Sequence, residues 1–255
     1  MLAVERRNRI EQIINKNKSV LVVELAKQFE VTTETIRGDL EKLEKQGVLV
    51  RTYGGATLVD NSEIELAITE RDTVNYEGKQ RIGKYAADLI KDGETIFLDA
   101  STSAWHLARY IKGKRGITVI TNEKIVNELS MCDHIHVVCV GGELTPRNMS
   151  YIGRVAEKTI KENYYANKCF FSCRGVTLGR GLVDSSEGEA EIKKAMLSCS
   201  ESAIFLCDKN KIGKIGVPRI SGLDGIDCFI TDAQLTDEWQ VALAEQDVKL
   251  VEVEK

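Results

Sequence analysis

The sequence predicts an α/β protein with a mostly parallel sheet, preceded by a small helical unit. From about residue 77, short continuous apolar runs alternate with helical stretches, a pattern typical of parallel strands that are buried on both faces. Residues 1–46 instead carry apolar residues at helical spacing. The 255 residues are enough for one small unit and one larger domain.

The N-terminal unit is predicted over residues 1–58 as three helices followed by a β-hairpin. Gly47 follows the third helix, where a C-terminal cap is expected. Two short strands flank Gly54-Gly55, which is a hairpin signal. The apolar faces of the three helices are formed by Ile10, Ile13 and Ile14, by Leu25, Ala26 and Phe29, and by Ile36, Leu40 and Leu43.

This order of elements is the layout of a winged helix-turn-helix, with the helix-turn-helix at about 20–39. The third helix of such a unit enters the major groove of double-stranded DNA. Thr32 is placed to cap this helix by accepting a hydrogen bond from the backbone N–H of Thr35 or its neighbour. An alternative interpretation is a helical hairpin used for dimerisation, with its threonines and lysines merely solvated.

The candidate DNA contacts lie on the outer face of the third helix and on the hairpin. Short hydroxyls at a helix N-terminus suit phosphate contacts, and Arg37 is positioned for a guanine edge or a phosphate. Gly38 costs about 1 kcal/mol relative to Ala in a helix interior, so we expect it to permit a close approach to DNA. The predicted DNA-binding residues are Thr32, Thr33, Thr35, Arg37, Gly38, Lys42, Arg51 and Tyr53.

The larger domain is predicted over residues 77–255, after a polar linker at 59–76 that lacks periodicity. Its strands are expected at 95–100, 118–121, 136–142, 168–173, 203–207, 228–232 and 249–253. Ligands bind parallel sheets at the carboxyl ends of the strands, and polar residues follow five of these runs. The predicted ligand-binding residues are Asp99, Ser101, Thr102, Ser103, Thr121, Asn122, Gly141, Gly142, Arg174 and Lys211.

These residue types suit an anionic ligand. The hydroxyls of 101–103, together with free N–H groups at the start of a helix, form a phosphate cradle. Gly141-Gly142 permits a close backbone approach, and Arg174 is able to pair with phosphate through two hydrogen bonds. Each feature also has a simpler interpretation: a helix cap at 101–103, a plain turn at Gly141-Gly142, and a solvated loop at 208–211.

Two further groups of residues have open interpretations. His134 and His136 alternate on one strand face near Asp133, as either a metal site or two exposed surface histidines. An acidic run before a helix supplies either catalytic carboxylates or favourable charge at the helix N-terminus. That run contains Asp184, Glu187, Glu189 and Glu191.

Composition argues against a membrane protein, a secreted protein and a metal-binding protein. No run approaches the ~18 apolar residues of a membrane span, and the charged N-terminus is unlike a signal peptide, so we expect a cytoplasmic protein without membrane contact. The seven cysteines lack a second pair with metal-ligand spacing, which favours buried thiols over zinc or disulfides. We predict no metal and no cofactor. The net charge of −4 gives no general sign of nucleic-acid binding.

Each unit contains motifs of a known family. Those of the N-terminal unit are ERRNRI and ELAKQFEVTTETIRGDLEKLEKQGVLVRTYGGA, with their spacing. Those of the larger domain are KQRIGKYAADLIKDGETIFLDAST, TVITN, GGEL, GLVDSSEGEAEIKKAML, LCDKNKIG and DCFITD. On these motifs, both units resemble the DeoR family of bacterial sugar-metabolism regulators. Relatives commonly carry two adjacent arginines where this chain has Arg37-Gly38, and a Gly-Thr-Thr type of run where it has Ser101-Thr102-Ser103.

The resemblance implies a sensor domain that is similar in fold to ribose-5-phosphate isomerase and the coenzyme A transferases. It implies a DNA-binding transcriptional regulator, a repressor of a carbohydrate-utilisation operon that a phosphorylated sugar releases from its operator. Since operators mirror protein symmetry, we expect a homodimer or homotetramer. The alternatives are an isomerase- or transferase-like enzyme fused to a DNA-binding domain, an activator, and a regulator that senses a protein.

Overall fold

The computed structural model of the chain describes residues 3–17, 19–45, 49–52, 54–58, 67–123, 126–129 and 131–254. The chain divides into two compact units, Met1–Glu65 and Leu66–Lys255. Within the described ranges, no helix combines the length and the apolar character that crossing a bilayer requires.

The first unit contains three helices and a three-stranded antiparallel sheet in the order β1-β3-β2. The sequence predicts only the β2–β3 hairpin, because the three residues of β1 are too few to show a period. The elements are α1 (Ala3–Asn17), β1 (Ser19–Leu21), α2 (Val22–Phe29), α3 (Thr33–Lys45), β2 (Leu49–Thr52) and β3 (Gly55–Leu58).

The core of the first unit lies where the three helical faces meet, as the spacing predicts. The side chains at its centre are buried, and Ile13 and Phe29 pack against them while partly exposed. Glu30 ends α2 in the left-handed conformation at φ 55°, which turns the chain into α3 within three residues. The buried set is Ile10, Ile14, Leu25, Ala26, Ile36, Leu40 and Leu43.

The second unit contains a seven-stranded sheet in the order β15-β14-β12-β9-β4-β5-β6, with parallel pairing throughout. All seven predicted strand positions are confirmed. They are β4 (Thr95–Leu98), β5 (Thr118–Thr121), β6 (His136–Cys139), β9 (Ala166–Phe171), β12 (Ser200–Cys207), β14 (Cys228–Thr231) and β15 (Lys249–Glu252).

Two small antiparallel sheets, absent from the prediction, flank the main one. The first pairs β7 (Glu143–Thr145) with β8 (Ser150–Ile152). The second has the order β10-β11-β13 and consists of β10 (Gly175–Thr177), β11 (Gly181–Val183) and β13 (Arg219–Ser221). Each of these strands has three residues, which is too short for an alternating pattern to be read from sequence.

Helices cover both faces of the main sheet. Within β4, Ile96 and Leu98 join a core with α5 and α6, whereas Phe97 faces the core that contains residues of α8, α9 and α10. The helices are α4 (Ile68–Thr73), α5 (Tyr76–Asp88), α6 (Thr102–Tyr110), α7 (Val126–Leu129), α8 (Arg154–Asn163), α9 (Glu187–Ser198) and α10 (Asp237–Glu245). Short 3₁₀ turns lie at Lys209–Lys211 and Leu223–Gly225.

Two expectations differ from the structure. The linker predicted at 59–76 extends too far, because α4 and the start of α5 belong to the second unit, while 59–66 lie outside the described residues. Only Ile68 is buried in α4, so this helix shows no apolar period. Cys139, predicted to be buried, is exposed because β6 is an edge strand, whereas Cys169, Cys173 and Cys207 are buried.

Candidate functional site

The N-terminus of α3 has the predicted cap. The backbone N–H of Thr35 donates to Oγ1 of Thr32 at 3.2 Å, and the two threonine hydroxyls are 2.9 Å apart. Thr32 is exposed, and Thr33 and Thr35 are partly exposed. The start of α3 therefore presents hydroxyls and helix N–H groups to solvent, an arrangement that favours anions.

The outer face of α3 carries one cation that is paired within the helix. Nη1 of Arg37 lies 2.9 Å from Oε2 of Glu34, and both side chains are exposed. Gly38, next to Arg37, is also exposed, and a Cβ at this position would meet no atom within 4 Å. Packing within the described residues therefore gives no reason for a glycine here. Lys42 is exposed one turn further along.

Arg51 of the predicted wing is held by Glu44 at the end of α3. The Arg51 backbone N–H donates to Oε1 of Glu44 at 2.9 Å, and Nε donates to Oε2 at 2.8 Å. These two hydrogen bonds lower the pKa of Glu44. Tyr53 lies outside the described residues. Gly55 is fixed by packing, because a Cβ there would lie 2.2 Å from the carbonyl oxygen of Val20 in β1.

A buried ion pair holds α3 against α1. The carboxylate of Asp39 accepts hydrogen bonds from Nε of Arg6 and, at 3.3 Å, from Nη1 of Arg7. The Asp39 side chain is 5% exposed. Arg6 and Arg7 of the N-terminal motif therefore fix the orientation of α3 and determine which of its faces points outward. Their side chains are engaged with Asp39.

In the second unit, the sheet register brings several of the predicted residues to one edge. Leu98 of β4 pairs with Thr121 of β5 and with Phe170 of β9, so residues that follow these strands leave the sheet on the same side. We call this set, with the residues after β12, the carboxyl edge. Its buried polar residues are Asp99, Ser101, Thr102, Ser103, Thr121, Asn122, Glu123, Ser172 and Asp208.

Asp99 is at the centre of the carboxyl edge. Its Oδ1 accepts from the Ser101 hydroxyl at 2.6 Å, and its Oδ2 accepts from the Ser172 backbone N–H at 3.1 Å. Burial raises the pKa of Asp99, while the ammonium of Lys193 and these hydrogen bonds oppose the rise. Ser101 also accepts from the Ala104 N–H at 3.2 Å and so caps α6. The cap interpretation of Ser101 is confirmed.

Lys193 of α9 joins Asp99 to two carboxylates of the acidic run. Its Nζ lies 2.9 Å from Asp184 Oδ2 and 3.6 Å from both Glu189 Oε2 and Asp99 Oδ2. We call these four residues the Lys193 cluster. Burial opposes the charge on Lys193, but the three carboxylates outweigh it and raise its pKa well above the usual value. The cluster thus places three carboxyl groups around one buried ammonium.

Three lysines lie near Asp208, which follows β12. Lys79 of α5 is 3% exposed, and its ammonium donates to the Arg71 carbonyl. Burial and the charge of Lys211 together lower the pKa of Lys79 to about 8, against the opposing effect of Asp208. Partial burial and Lys211 also lower the pKa of Lys214. We call Lys79, Lys211 and Lys214 the lysine group.

The remaining predicted ligand-binding residues, Lys211, Arg174 and Gly141-Gly142, contact the backbone of neighbouring loops and strands. Nζ of Lys211 donates to the Cys173 carbonyl at 2.6 Å, and Nε of Arg174 donates to the Ile215 carbonyl at 3.2 Å. Gly142, at φ 124°, begins the turn to β7, where a Cβ would lie 2.6 Å from the Ile152 carbonyl oxygen. This packing supports the turn interpretation of Gly141-Gly142.

His134 and His136 are exposed, which matches the simpler interpretation. Nε2 of His134 lies 2.8 Å from the Lys112 carbonyl oxygen. Among the described residues, no group of three or more histidines, cysteines or acidic residues is arranged to hold a metal ion.

Comparison with known proteins identifies both units. Residues 6–62 match the DeoR-like helix-turn-helix domain, and residues 74–233 match the DeoR C-terminal sensor domain. The chain belongs to the DeoR family. It is a helix-turn-helix transcriptional regulator with a sensor domain, as the sequence predicts.

DeoR-family relatives are similar over nearly their whole length. The transcriptional regulator YulB of Bacillus subtilis is 39% identical, over 99% of this chain and 98% of its own. The L-fucose operon activator of Haemophilus influenzae is 30% identical, over 95% of this chain and 97% of its own. The transcriptional repressor AccR of Agrobacterium fabrum is 29% identical, over 90% and 89% respectively. The family therefore includes both activators and repressors.

Among solved structures, ribose 5-phosphate isomerase A of Methanocaldococcus jannaschii overlaps with 55% of this chain and 56% of its own. The TM-score is 0.40 at 18% identity, a likeness too low to support any inference about ligand or reaction.

Sequence reasoning missed several buried polar residues of this DeoR-family sensor. Lys79 precedes Ile82 and Ala86 on the buried face of α5, and Lys193 lies between Glu189 and Met196 on that of α9. A lysine at an apolar position of a helix was the available signal. His106 and Asp72, whose Nε2 and Oδ1 are 3.0 Å apart, show no such signal because they come from different helices.

Proposed function

We propose that this protein is a repressor of a carbohydrate-utilisation operon and that a phosphorylated sugar releases it from its operator. The observation that carries the proposal is the division of charge at the carboxyl edge. The lysine group provides cations at one part of the edge, and the Lys193 cluster provides buried carboxylates at another. A ligand with an anionic end and a hydroxyl-bearing end matches this division.

The lysine group favours an anion. Lys211 lowers the pKa of both Lys79 and Lys214, so its ammonium repels each of theirs, and Asp208 is a counter-charge that acts on all three. A bound phosphate relieves this repulsion and pairs with each ammonium. Arg174, which also lowers the pKa of Lys214, adds a fourth cation.

The effector acts on DNA binding through α4, the first helix of the sensor unit. Nη2 of Arg71 donates to Oδ1 of Asn148 at 3.0 Å, and Nδ2 of Asn148 donates to Glu189 of the Lys193 cluster at 3.0 Å. Lys79 of the lysine group donates to the Arg71 carbonyl. A ligand that pairs with the lysine group or the Lys193 cluster changes these contacts and so shifts α4. This helix begins three residues after the DNA-binding unit ends.

The protein binds its operator as a homo-oligomer, a dimer or a tetramer, because a single helix-turn-helix contacts too few base pairs. Its site of action is the cytoplasm, where its DNA lies. Analytical ultracentrifugation of the full chain tests this part, and a monomer at the concentration that saturates the operator contradicts it.

The central test is a thermal-shift screen of the full chain against pentose and hexose phosphates, with inorganic phosphate as the reference. A specific effector stabilises the protein by RT ln(1 + [L]/Kd), so one compound should exceed the rest. Operator DNA selected from a random library is then titrated with and without that compound. The effector should weaken operator binding, and operator should weaken effector binding by the same factor.

Two single lysine variants test whether Lys211 contacts the effector. Lys211→Ala should weaken effector binding and leave operator affinity of the free protein unchanged, whereas Lys209→Ala, an exposed neighbour in the same turn, should alter neither. In vitro transcription from a promoter with the selected operator should fall on adding protein and recover with effector. A rise on adding protein identifies an activator instead. Equal effector affinity with and without operator rejects the sensing model.

A further inference from the structure

Glu123 stands apart from the other buried carboxylates of the sensor unit. It follows β5 at the carboxyl edge and is 4% exposed, yet its Oε2 has no hydrogen-bond partner among the described residues. By contrast, both carboxylate oxygens of Asp99 are hydrogen-bonded, and Oε1 of Glu189 accepts from Asn148 and Ser150. Oε2 of Glu189 and Oδ2 of Asp184 are each ion-paired with the Lys193 ammonium. Leaving a buried polar group unpaired destabilises the fold, so the retention of this one points to a partner.

Two further buried oxygens near it along the same edge are also unpaired. Oδ1 of Asn122 and Oγ of Ser103 have no partner in the described part of the chain. The amide nitrogen of Asn122 donates to the Tyr151 carbonyl at 3.1 Å, which leaves its oxygen available as an acceptor. Since β4 and β5 are neighbours in register, residues 103, 122 and 123 all follow adjacent strand ends.

The position of Glu123 is fixed by the backbone. Its N–H donates to Oγ1 of Thr121 at 3.2 Å, and the residue forms an isolated antiparallel bridge with Ser150, the first residue of β8. The backbone of residue 123 is therefore anchored, and the side chain that it carries is buried from solvent. Its unpaired oxygen is therefore a built feature of the edge.

We propose that Glu123 keeps its proton in the folded sensor and, with Asn122 and Ser103, binds the hydroxyl groups of the effector's sugar moiety. This inference rests on the proposed function, because it assigns the hydroxyl-bearing end of the same ligand. A carboxylic acid, an amide oxygen and a hydroxyl together offer donors and acceptors, and each sugar hydroxyl needs both.

The charges around Glu123 favour the protonated form. The groups that act on it are Asp99 after β4, Arg71 and Asp72 of α4, and Glu189 of α9. Burial raises the pKa of Glu123 well above its usual value, the three carboxylates add to the rise, and Arg71 alone opposes it. A charged Glu123 would place a further anion beside the excess carboxylates of the Lys193 cluster.

The test compares two probes in three variants of the full chain. Inorganic phosphate reports the lysine group, and the tightest-binding sugar phosphate of the screen reports both ends of the site. Glu123→Gln keeps a neutral donor and acceptor of the same size, so sugar phosphate affinity should stay within about threefold. Glu123→Ala removes the partner of a buried hydroxyl and should weaken sugar phosphate at least tenfold. Glu143→Ala, at an exposed position of β7, is the matched control.

Inorganic phosphate should bind all variants equally, which separates a ligand contact from a general structural defect. Loss of sugar phosphate binding in Glu123→Gln with inorganic phosphate retained means that the charged carboxylate is required, as for a ligand ammonium, and overturns the proposal. Unchanged sugar phosphate affinity in Glu123→Ala also overturns it. Failure of wild type to bind any probe rejects the effector site itself, an outcome distinct from both.

Discussion

The outer face of α3 and the carboxyl edge of the sensor pair their charged residues in opposite environments, the first in solvent and the second in the interior. On α3, Arg37 pairs with Glu34 in solvent, and Arg51 pairs with Glu44 with both side chains partly exposed. At the carboxyl edge, Lys193 is 5% exposed and shared among three carboxylates. Exposed pairs contribute about 0–1 kcal/mol and exchange partners at little cost, whereas buried ones do not.

This difference suits the two partners. The predicted contact of Arg37 with DNA requires that the polyanion displace Glu34, and a weak exposed pair permits this. The proposed effector instead meets groups that burial has already oriented before it arrives. Substitutions at the carboxyl edge should therefore change stability first, and truncation of an exposed charged side chain on the outer face of α3 should change DNA binding alone.

The largest effect should come from Lys193→Met. It leaves the carboxylates of Asp99, Asp184 and Glu189 buried without their shared cation, so the free energy of unfolding should fall by about 3–5 kcal/mol. Both tryptophans, Trp105 and Trp239, belong to the second unit, so tryptophan fluorescence in urea follows this unit alone.

Lys194→Met on the same helix is the matched control, since Lys194 pairs with Glu191 on the exposed side. Its effect should stay below about 1 kcal/mol. Similar losses in the two variants would remove the contrast between buried and exposed pairs on which the comparison rests.

The next effect is a pH dependence that Lys79 creates. Its pKa is about 8 in the folded protein against 10.5 in the unfolded chain. Between these values the unfolded chain holds a proton that the folded protein has released, so stability rises with pH. Wild type should gain about 2–3 kcal/mol relative to Lys79→Met between pH 8 and 10. Parallel pH profiles of the two proteins, measured by tryptophan fluorescence in urea, would contradict the shift.

The fold was largely predictable, and the site only partly. The strands of the main sheet are continuous apolar runs such as 95–98 and 203–207, whose burial on both faces leaves a clear pattern. Ser101 and Asp99 follow such a run and were found. Glu123, Lys79 and Lys193 lie at the same edge only because the strand register and the helices α5 and α9 bring them there, and a linear pattern does not record that.

Arg37→Ala tests the opposite region and should lower operator affinity by about 1–3 kcal/mol if Arg37 reads a base. If it contacts only phosphate, affinity should fall on all sequences and the salt slope should shrink by about one unit. Stability should not change, because both Arg37 and its partner Glu34 are exposed. Binding to operator and scrambled DNA at several salt concentrations decides between the two, and unchanged affinity on both excludes Arg37 from the interface.

The smallest expected effect separates folding from DNA binding at one position. Since a Cβ at Gly38 would meet nothing within 4 Å, Gly38→Ala should stabilise α3 by up to about 1 kcal/mol, visible as slower hydrogen exchange of its amides. If the missing side chain allows α3 to approach DNA closely, the same variant should bind operator more weakly although its α3 is more stable. Gly38→Arg should then strengthen general, salt-sensitive DNA binding while losing preference for the operator. A stabilised Gly38→Ala with unchanged operator affinity would mean that the glycine serves neither folding nor recognition, and that the outer face of α3 tolerates change where the carboxyl edge does not.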